Sequence, residues 1–309
     1  MVNTQVFWRM TRAQFLRLGM GAATLAMVGR EAGAQAAPRI LTRPIPSSGE
    51  PLPIIGCGTW RTFSTDPTQR DELVEVLRIL FAAGGSVIDS SPMYGTAEAA
   101  VGQVLAQLGT EREHAFLATK VWTQGRREGI AQMEQSLKHF RRERIALMQI
   151  HNLVDWRTQL ATLRAWKAEG RIRYIGVTHY TASAFAELEA VMRAEPLDFV
   201  QINYAANDRQ AESRILPLAA ERGMAVIVNQ PFGGGGLIRR MQSAALPAWA
   251  AEIGCSSWAQ VLLKFVLAHP AVTVAIPGTG QARHMTDNIQ AGMGAMPTAV
   301  QRQLIINAI

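Results

Sequence analysis

Eight short runs of apolar, often β-branched residues recur along the chain from residue 54 onward. A stretch with apolar residues at helical spacing follows each of them. The runs lie at 54–59, 86–89, 116–120, 146–151, 172–178, 199–203, 225–229 and 272–277. The helical stretches lie at 69–83, 97–108, 128–140, 157–169, 182–194, 212–222, 257–268 and 282–292. Strongly apolar strands that alternate with helices predict a parallel sheet covered on both faces.

The number and order of these units indicate the fold class. Eight strand–helix units at a spacing of about 25–35 residues are typical of a closed (β/α)₈ TIM barrel. We therefore predict an α/β protein with a single TIM-barrel domain over residues 44–309. The alternative is an open, doubly wound sheet, which needs a G-x-G-x-x-G turn after its first strand. The first run gives G-C-G-T-W at 56–60 without the third glycine, so the open sheet is disfavoured.

The chain before the barrel has a different pattern. Arginines precede a mostly apolar stretch at 18–28, and small residues typical of a cleavage site follow at 32–34 or at 34–36. This order is typical of a secretory signal, and an apolar stretch of about 11 residues is too short to span a bilayer core of about 30 Å. We therefore predict an export signal-like segment at 1–36, a linker at 37–43 and no integral membrane segment.

The export route is less well defined. Residues 11–17, T-R-A-Q-F-L-R, resemble the twin-arginine export motif, but Ala13 stands where the second arginine belongs. The export machinery is accordingly an expected partner of the N-terminus, and the expected location is periplasmic or exported. An amphipathic N-terminal helix on a cytoplasmic protein is the alternative interpretation.

Charge and cysteine content narrow the classes of function. The formal net charge is +7, but residues 1–43 carry six arginines and one acidic residue, so the rest of the chain carries only +2. Binding to a phosphate backbone needs cations clustered on one face, and the predicted barrel has no basic stripe, so nucleic acid is excluded as a partner. Cys57 and Cys255 provide neither zinc-ligand spacing nor a disulfide scaffold, and we predict no metal site.

Polar residues lie where six of the predicted strands end. These residues are Asp89, Lys120, His151, Thr178, Gln201 and Asn229. In a TIM barrel the carboxyl ends of the strands meet at one mouth, and the chemistry takes place there. Lys120 is one of only four lysines in a chain with 27 arginines. The sequence therefore predicts a polar site at the mouth of the barrel.

A tyrosine joins this site through the loop after the second run. The turn residues of I-D-S-S-P-M-Y-G at 88–95 can fold Tyr94 back over the mouth. A free phenol has a pKa of about 10, and a cation at Lys120 lowers it, so that proton donation becomes easier. Asp89 can keep Lys120 charged, and His151 can orient a substrate carbonyl. These residues predict protonation of an oxygen while its carbon is attacked.

Four residues in this order resemble the catalytic tetrad of the aldo-keto reductases: Asp89, Tyr94, Lys120 and His151. Further strings spread over nearly all of 44–293 resemble the same family: G-C-G-T-W (56–60), I-D-S-S-P-M-Y-G (88–95), L-A-T-K (117–120), Q-I-H-N (149–152), Y-I-G-V-T (174–178), Q-I-N-Y (201–204) and I-P-G-T (276–279). The resemblance implies hydride transfer from NADPH to a small-molecule aldehyde or ketone. It makes Tyr94 the general acid and Lys120 the group that tunes it. Asp89 then pairs with Lys120, and His151 orients the carbonyl.

The resemblance also implies a nicotinamide site at the mouth, with two departures from the family. The residues expected there are Gly58, Thr59, Thr178, His179, Gln201, Asn229, Phe232 and Gly233. The family usually has an asparagine where His179 stands and a stacking tyrosine where Asn229 stands. Phe232 can supply the ring instead, and the glycines at 233–236 let backbone N–H groups approach a pyrophosphate.

The implied adenosine site departs further from the family. Its residues are Thr279, Arg283, His284 and Asn288. The family commonly has a lysine where Gly278 stands and an arginine where His284 stands, so less positive charge is available for a 2′-phosphate. NADPH is the expected cofactor, and NADH remains open. Trp60 and Trp122 follow strand ends and are the expected substrate contacts.

Two other functions are compatible with the same residues. A Schiff-base aldolase would use Lys120 as its nucleophile, but that lysine must be neutral, and the pairing with Asp89 argues against it. A non-catalytic redox sensor or regulatory subunit would bind nicotinamide nucleotide without turnover. The intact tetrad disfavours the sensor, while export to a compartment poor in NADPH favours it.

Overall fold

The computed structural model describes residues 39–309. Within that range ten strands form two sheets. The strands are β1 Thr42–Pro44, β2 Pro51–Pro53, β3 Cys57–Gly58, β4 Val87–Asp89, β5 Phe116–Val121, β6 Ile145–His151, β7 Ile172–His179, β8 Phe199–Asn203, β9 Ala225–Asn229 and β10 Val274–Ala275. β3 to β10 form one parallel sheet in which each strand pairs with the next along the chain. β1 and β2 form a separate antiparallel hairpin.

The eight-stranded sheet curls until its first and last strands meet. Parallel bridges join Ile55 to Ala275 and Gly58 to Gly278. The N–H of Ala275 also donates to the carbonyl of Ile54 at 2.9 Å. These contacts join the two edges of the sheet, and the eight parallel strands agree with the predicted (β/α)₈ fold.

Helices cover the outside of the sheet. In residues 39–309 the α-helices are α1 Arg70–Ala82, α2 Ala97–Gln107, α3 Arg126–Phe140, α4 Trp156–Ala168, α5 Phe185–Ala194, α6 Ile215–Glu221, α7 Gly236–Met241, α8 Trp258–Leu267, α9 Ala282–Ala291 and α10 Ala299–Ala308. Eight of them lie where apolar periodicity predicts a helix. The exceptions are α7, a short helix that follows the glycine run, and α10 in the C-terminal tail.

The β1–β2 hairpin covers the end of the barrel opposite the mouth. Ile45 and Leu52 belong to a buried cluster with Phe116 and other residues at the starts of the parallel strands. Arg43 on β1 donates to the carbonyl of Leu267 at 2.6 Å and to that of His269 at 3.1 Å. The hairpin therefore fills the lower end of the barrel and leaves the carboxyl ends of the strands free for chemistry.

The described part of the predicted linker at 37–43 packs against the barrel. Ile40 is buried, and its N–H donates to the carbonyl of Ala83 at 3.0 Å. The N–H of Leu41 donates to the carbonyl of Gly292 at 2.8 Å. Ala83 and Gly292 directly follow α1 and α9, at the ends of these helices away from the mouth. The described chain therefore enters the barrel on the face opposite the site.

The predicted export signal-like segment at 1–36 lies outside the described residues. Over residues 39–309, none of the helices has the length and apolar character that a membrane crossing requires. The same part of the chain has no group of three or more His, Cys, Asp or Glu side chains that could hold a metal ion. Cys57 and Cys255 are free and buried.

Candidate active site

Three neighbouring strands and one loop bring the predicted catalytic residues together. Asp89 and His151 are the last residues of β4 and β6, and Lys120 lies one residue before the end of β5. Tyr94 follows β4 in a turn, where its N–H donates to the carbonyl of Ser91 at 3.0 Å. Because parallel strands of a barrel end at the same edge, these side chains meet at one mouth.

The side chains of the tetrad contact one another directly. Lys120 Nζ donates to Asp89 Oδ2 at 2.7 Å and to the carbonyl of Ser90 at 2.7 Å. The same Nζ lies 5.2 Å from the centre of the Tyr94 ring. The rings of Tyr94 and His151 meet edge to face, with their centroids 5.8 Å apart. The four residues singled out in the sequence therefore form one cluster.

The Lys120–Asp89 pair is almost completely shielded from solvent, with side-chain exposures of 0% and 2%. Burial alone would lower the pKa of Lys120, but the Asp89 carboxylate and then Tyr94 raise it above its ordinary value. Burial raises the pKa of Asp89, and Lys120 opposes that change. Lys120 is thus held as a cation. Removing one partner would leave the other buried without compensation.

Burial also determines the protonation state of Tyr94. It raises the pKa of Tyr94 above its ordinary value, and this effect exceeds the opposing effect of Lys120. Lys120 does lower the pKa of the phenol, but the net shift is upward and so opposite to the predicted lowering. The sequence pattern identifies the neighbouring charge but not the depth of burial, and burial disfavours the phenolate. The result is a phenol that stays protonated at neutral pH and can act as a proton donor.

His151 is a neutral imidazole. Its pKa is lowered to about 2, first by burial and then by the positive charge of Lys120 and by His179. Its Nδ1 lies 2.9 Å from the Ser91 hydroxyl oxygen, and its ring centroid lies 6.5 Å from that of Trp122. A neutral imidazole offers one N–H donor and one acceptor nitrogen, so it can donate a hydrogen bond to a carbonyl oxygen.

Two buried glutamines support Asp89 from inside the barrel. Gln201 Nε2 donates to Asp89 Oδ2 at 3.2 Å, and Gln149 Nε2 donates to Gln201 Oε1 at 2.7 Å. Gln149 Nε2 also lies 3.4 Å from Asp89 Oδ1. The sequence predicts Gln201 as a cofactor contact and does not single out Gln149. The signal is present, because Gln149 lies two residues before His151 on one strand and so faces the same side of the sheet.

The end of β3, the first strand of the parallel sheet, packs closely beneath this cluster. Thr59, a predicted cofactor contact, has its Oγ1 3.0 Å from the carbonyl of Asp89 and 2.9 Å from Ser90 Oγ. Gly58 has no room for a side chain, because a Cβ would lie 2.8 Å from the carbonyl oxygen of Ile276. Both residues therefore fix the barrel wall at the level of the tetrad.

Further predicted nicotinamide contacts lie at the end of β7 and in the middle of β8. Thr178 is opposite Gln201 in the strand register, and both are buried. His179 Nδ1 accepts the N–H of Thr181 at 3.3 Å, and its ring stacks on Tyr180 with the centroids 5.7 Å apart. Burial lowers the pKa of His179. Together these residues offer uncharged hydrogen-bonding groups at the mouth, which is the chemistry that a carboxamide needs.

Several buried amide oxygens have no hydrogen-bond partner within the described chain. Four of them, at or near strand ends of the barrel, belong to Gln149, Asn152, Asn203 and Asn229. A buried acceptor without a partner is costly, and a ligand that donates N–H groups can satisfy it. Asn229 ends β9, and Phe232, three residues later, is partly buried against the core. Of these four residues, Asn229 is the one that the sequence predicts as a cofactor contact.

The glycine run after β9 has a backbone that favours glycine. Gly233, Gly234 and Gly235 have φ values of +58, +63 and +87. A Cβ on Gly233 would lie 2.8 Å from Asn207 Oδ1. Larger residues would therefore be strained here and would clash. The N–H groups of Gly233, Gly235 and Gly236 donate to carbonyls of the same turn at 2.9–3.2 Å, so these three groups, expected to approach a pyrophosphate, are already engaged.

The predicted adenosine residues differ in exposure. Thr279 and Asn288 are buried, whereas Arg283 and His284 are exposed. The N–H of Ala282, the first residue of α9, donates to Glu72 Oε1 on α1 at 2.7 Å. A carboxylate therefore lies at the helix N-terminus, where a phosphate would otherwise find favourable N–H groups. The charge here is therefore less favourable to a 2′-phosphate than the residues at 279, 283 and 284 alone indicate.

Large exposed side chains follow several strand ends at the mouth of the barrel. Trp60 and Trp122, the predicted substrate contacts, are 44% and 41% exposed. Met93 and Tyr180, each next to a site residue in the sequence, are also exposed. The guanidinium of Arg61 lies 4.3 Å from the centre of the Trp60 ring. Exposed apolar groups gathered at one place are typical of a ligand-binding surface.

A family model covers most of the chain. The model of the Aldo/keto reductase family matches residues 54–301. The chain belongs to this family. It is 26% identical over 278 residues to Probable aldo-keto reductase 1 from Glycine max, a match that covers 76% of this chain and 79% of the relative. It is also 27% identical over 256 residues to the uncharacterized oxidoreductase YrpG of Bacillus subtilis (strain 168), covering 68% of this chain and 77% of the relative.

Solved aldo/keto reductase structures share the fold. An aldo-keto reductase from Klebsiella pneumoniae in complex with NADPH superposes with a TM-score of 0.73 at 24% identity, covering 87% of this chain and 94% of that one. An aldo/keto reductase from the same organism in complex with NADP and acetate gives a TM-score of 0.72 at 25% identity, covering 84% and 92%. This aldo/keto reductase therefore has the barrel of proteins that were solved with a nicotinamide cofactor bound.

Proposed function

We propose that this aldo/keto reductase transfers a hydride from NADPH to an aldehyde or ketone and that Tyr94 donates the proton. One observation carries the proposal. A protonated phenol lies between the buried Lys120–Asp89 ion pair and the neutral imidazole of His151. A buried cation, an anion, a phenol and an imidazole that meet at the mouth of a barrel are typical of a catalytic site.

The chain's own residues account for the proton transfer. His151 and Tyr94 donate hydrogen bonds to the carbonyl oxygen and so orient the substrate. When bound, the cofactor supplies the hydride that the carbonyl carbon accepts. The oxygen then takes the phenolic proton of Tyr94, since an alkoxide is a stronger base than a phenolate. Lys120 stabilises the phenolate that remains, and Asp89 keeps Lys120 charged and in place.

The residues around the tetrad fit the cofactor. Thr178 and the amide oxygen of Asn229, which has no partner within residues 39–309, would offer hydrogen bonds to the carboxamide, and Asn288 is the expected contact to adenine. Gln201 already bonds to Asp89 and Gln149 and would support the site from below. The complexes of related reductases with NADPH and NADP support NADPH as the cofactor. Glu72 at the N-terminus of α9 keeps NADH open, because its carboxylate opposes a 2′-phosphate.

The decisive experiment replaces Tyr94 by phenylalanine. We expect Tyr94→Phe to lower kcat for reduction of a panel of aldehydes and ketones by about 10²–10⁴-fold, because only the transferred proton is lost. NADPH affinity, measured by fluorescence titration, should stay nearly unchanged. Tyr174→Phe is the matched control, since Tyr174 contacts Glu50 and Ser48 at the opposite end of the barrel. Activity near the wild-type level in Tyr94→Phe would refute the assigned acid.

The same preparation distinguishes the two alternative functions. A Schiff-base aldolase would form an imine at Lys120, and borohydride would fix the substrate to the protein as an added mass. We expect no added mass, since Asp89 holds Lys120 as a cation. A non-catalytic sensor would bind nucleotide tightly and turn over none of the carbonyl panel. That outcome would replace the reductase assignment.

We also propose that residues 1–36 direct export to the periplasm. The basic start, the short apolar stretch at 18–28 and the small residues at 34–36 support this proposal. Cell fractionation of the full chain in a bacterial host should recover the protein in the periplasmic fraction. A variant that begins after residue 36 should remain in the cytoplasm. Equal cytoplasmic recovery of both would contradict export.

A further inference from the structure

The Ser91 hydroxyl lies against the imidazole of His151 at the mouth of the barrel. Ser91 is fully buried, and its Oγ lies 2.9 Å from His151 Nδ1. The same oxygen accepts the N–H of Met93 at 3.2 Å. Its backbone carbonyl accepts the N–H of Tyr94 at 3.0 Å. One residue therefore contacts both the acid and the group that orients the carbonyl.

The protonation state of His151 limits the possible hydrogen-bond patterns to two. A neutral imidazole carries one proton, either on Nδ1 or on Nε2. If the proton is on Nδ1, the ring donates to Ser91 and presents a lone pair on Nε2. If the proton is on Nε2, Nδ1 accepts the Ser91 hydroxyl proton and Nε2 remains a donor. The two tautomers have opposite effects on a carbonyl oxygen.

The hydrogen bonds of Ser91 select between them. Its oxygen already accepts the N–H of Met93, so its own proton needs an acceptor. Within residues 39–309, the contacts of this hydroxyl are the Met93 N–H and His151 Nδ1. A buried hydroxyl that fails to donate leaves a polar group unsatisfied at a cost in free energy. Donation to Nδ1 satisfies both groups and places the imidazole proton on Nε2.

We propose that Ser91 is a positioning residue that holds His151 as the Nε2–H tautomer and fixes the orientation of its ring. The importance of this donor for carbonyl reduction rests on the proposed function. With the Nε2–H tautomer, His151 can donate to the substrate oxygen while Tyr94 donates from its hydroxyl. With the opposite tautomer, the Nε2 lone pair would repel that oxygen. A flipped ring would direct Nδ1 away from Ser91 and lose the bond that orients it.

The tautomer can be measured without any activity. The full-length protein labelled with ¹⁵N-histidine gives two-bond ¹H–¹⁵N correlations, in which protonated and unprotonated ring nitrogens have well-separated shifts. The spectrum of His151→Asn identifies the His151 signals by their loss. At neutral pH we expect Nε2 to be protonated and Nδ1 to be unprotonated. The reverse pattern in the wild-type protein would overturn the proposal without the need for any Ser91 variant.

Variants of Ser91 test the positioning role. Ser91→Ala removes the donor, and we expect the two nitrogen shifts to move toward each other as both tautomers become populated. Ser91→Thr keeps a hydroxyl and should restore the wild-type pattern. Ser136→Ala is the matched control, because it removes a buried hydroxyl whose hydrogen bond within residues 39–309 is to the carbonyl of Gln132 on the same helix. Wild-type shifts in Ser91→Ala would contradict the proposal.

Kinetics separate this inference from the proposed function. We expect Ser91→Ala to lower kcat/KM by about five- to ten-fold, with NADPH affinity unchanged and with recovery in Ser91→Thr. Ser136→Ala should behave as the wild type. If the Nε2–H tautomer is found and no carbonyl compound is reduced, the proposed function fails while the tautomer assignment stands. If carbonyls are reduced equally well by Ser91→Ala, the positioning role fails alone.

Discussion

The tetrad and the adenosine end of the cofactor site are built in opposite ways. Around Lys120 and Asp89 the charged groups are buried and held by several hydrogen bonds. At the start of α9, Arg283 and His284 are exposed, and Glu72 takes the first N–H of the helix. The charges of the tetrad are therefore fixed before any ligand binds, whereas those at the adenosine end are free to rearrange.

This difference indicates which property each region controls. A buried, preorganised group contributes strongly to chemistry, since it needs no rearrangement during the reaction. An exposed charge is screened by water and salt and contributes little. We infer that the tetrad sets the rate of reduction and that the adenosine end sets only a modest preference between cofactors. Three predictions test this contrast.

The largest effect is expected at Lys120. Lys120→Met leaves Asp89 buried without its cation, so the free energy of unfolding should fall by about 3–5 kcal/mol. Activity should fall by about 10²–10⁴-fold, because the phenolate of Tyr94 loses its stabilising charge. Urea denaturation and steady-state kinetics measure the two losses.

A second substitution separates stability from activity at this pair. Adding Asp89→Asn to Lys120→Met removes the unpaired charge and should recover part of the stability but none of the activity. Lys138→Met, at an exposed lysine of α3, controls for loss of a lysine in general. If Lys120→Met is as stable as Lys138→Met, the buried pair does not have the role that we assign to it.

A smaller effect is expected from His151 as the pH falls. Its pKa is about 2 in the folded protein against an ordinary value of 6.5, so below pH 6.5 the unfolded chain binds a proton that the folded protein does not. This histidine therefore lowers stability as pH decreases, by about 1.4 kcal/mol per pH unit. Between about pH 6.5 and pH 5 the wild type should lose about 2 kcal/mol more than His151→Asn.

The adenosine end supplies the control for this pH effect. His284 is exposed, so His284→Asn should keep the full wild-type loss of stability over the same interval. The measurement is urea denaturation at both pH values. Equal acid sensitivity of His151→Asn and the wild type would show that the buried imidazole is not the group responsible.

The smallest effect is expected at Glu72. Glu72→Gln removes a negative charge from the N-terminus of α9, so the Kd for NADPH should fall by about two- to five-fold. The Kd for NADH, which lacks the 2′-phosphate, should stay the same. Fluorescence titration with both nucleotides measures the change. Glu75→Gln, one turn further along α1, is the control, and an equal shift for both nucleotides would contradict a role in selecting the phosphate.

The sequence predicts the elements of the fold well where the apolar pattern is long and continuous, and poorly where an element has only a few residues. The strands of the barrel are continuous apolar runs, and their residues at the mouth stand out as polar. The hairpin of β1 and β2 escapes prediction because its strands have three residues each and contain prolines, which are unfavourable in a strand. α10 carries a capping box from Thr298 to Gln301, a signal that the sequence does contain.

The site is predictable to the extent that it depends on residue type and strand position. Asp89, Lys120 and His151 are predicted from residue type together with strand position, and Tyr94 is predicted from its place in the turn after β4. The direction in which the pKa of Tyr94 shifts cannot be predicted from the sequence, because it depends on how completely the folded chain excludes water. The hydrogen bond between Ser91 and His151 cannot be predicted from the sequence either. It joins residues 60 positions apart, through a contact that only the closed barrel creates.

Residues 40 and 41 have a practical consequence for handling the enzyme. They are hydrogen-bonded to the ends of α1 and α9 on the face of the barrel away from the mouth. An affinity tag or a solid support joined just before them is therefore tethered on the far side of the molecule from the substrate entrance. Immobilised in that orientation, the protein would present its entrance to the surrounding solution.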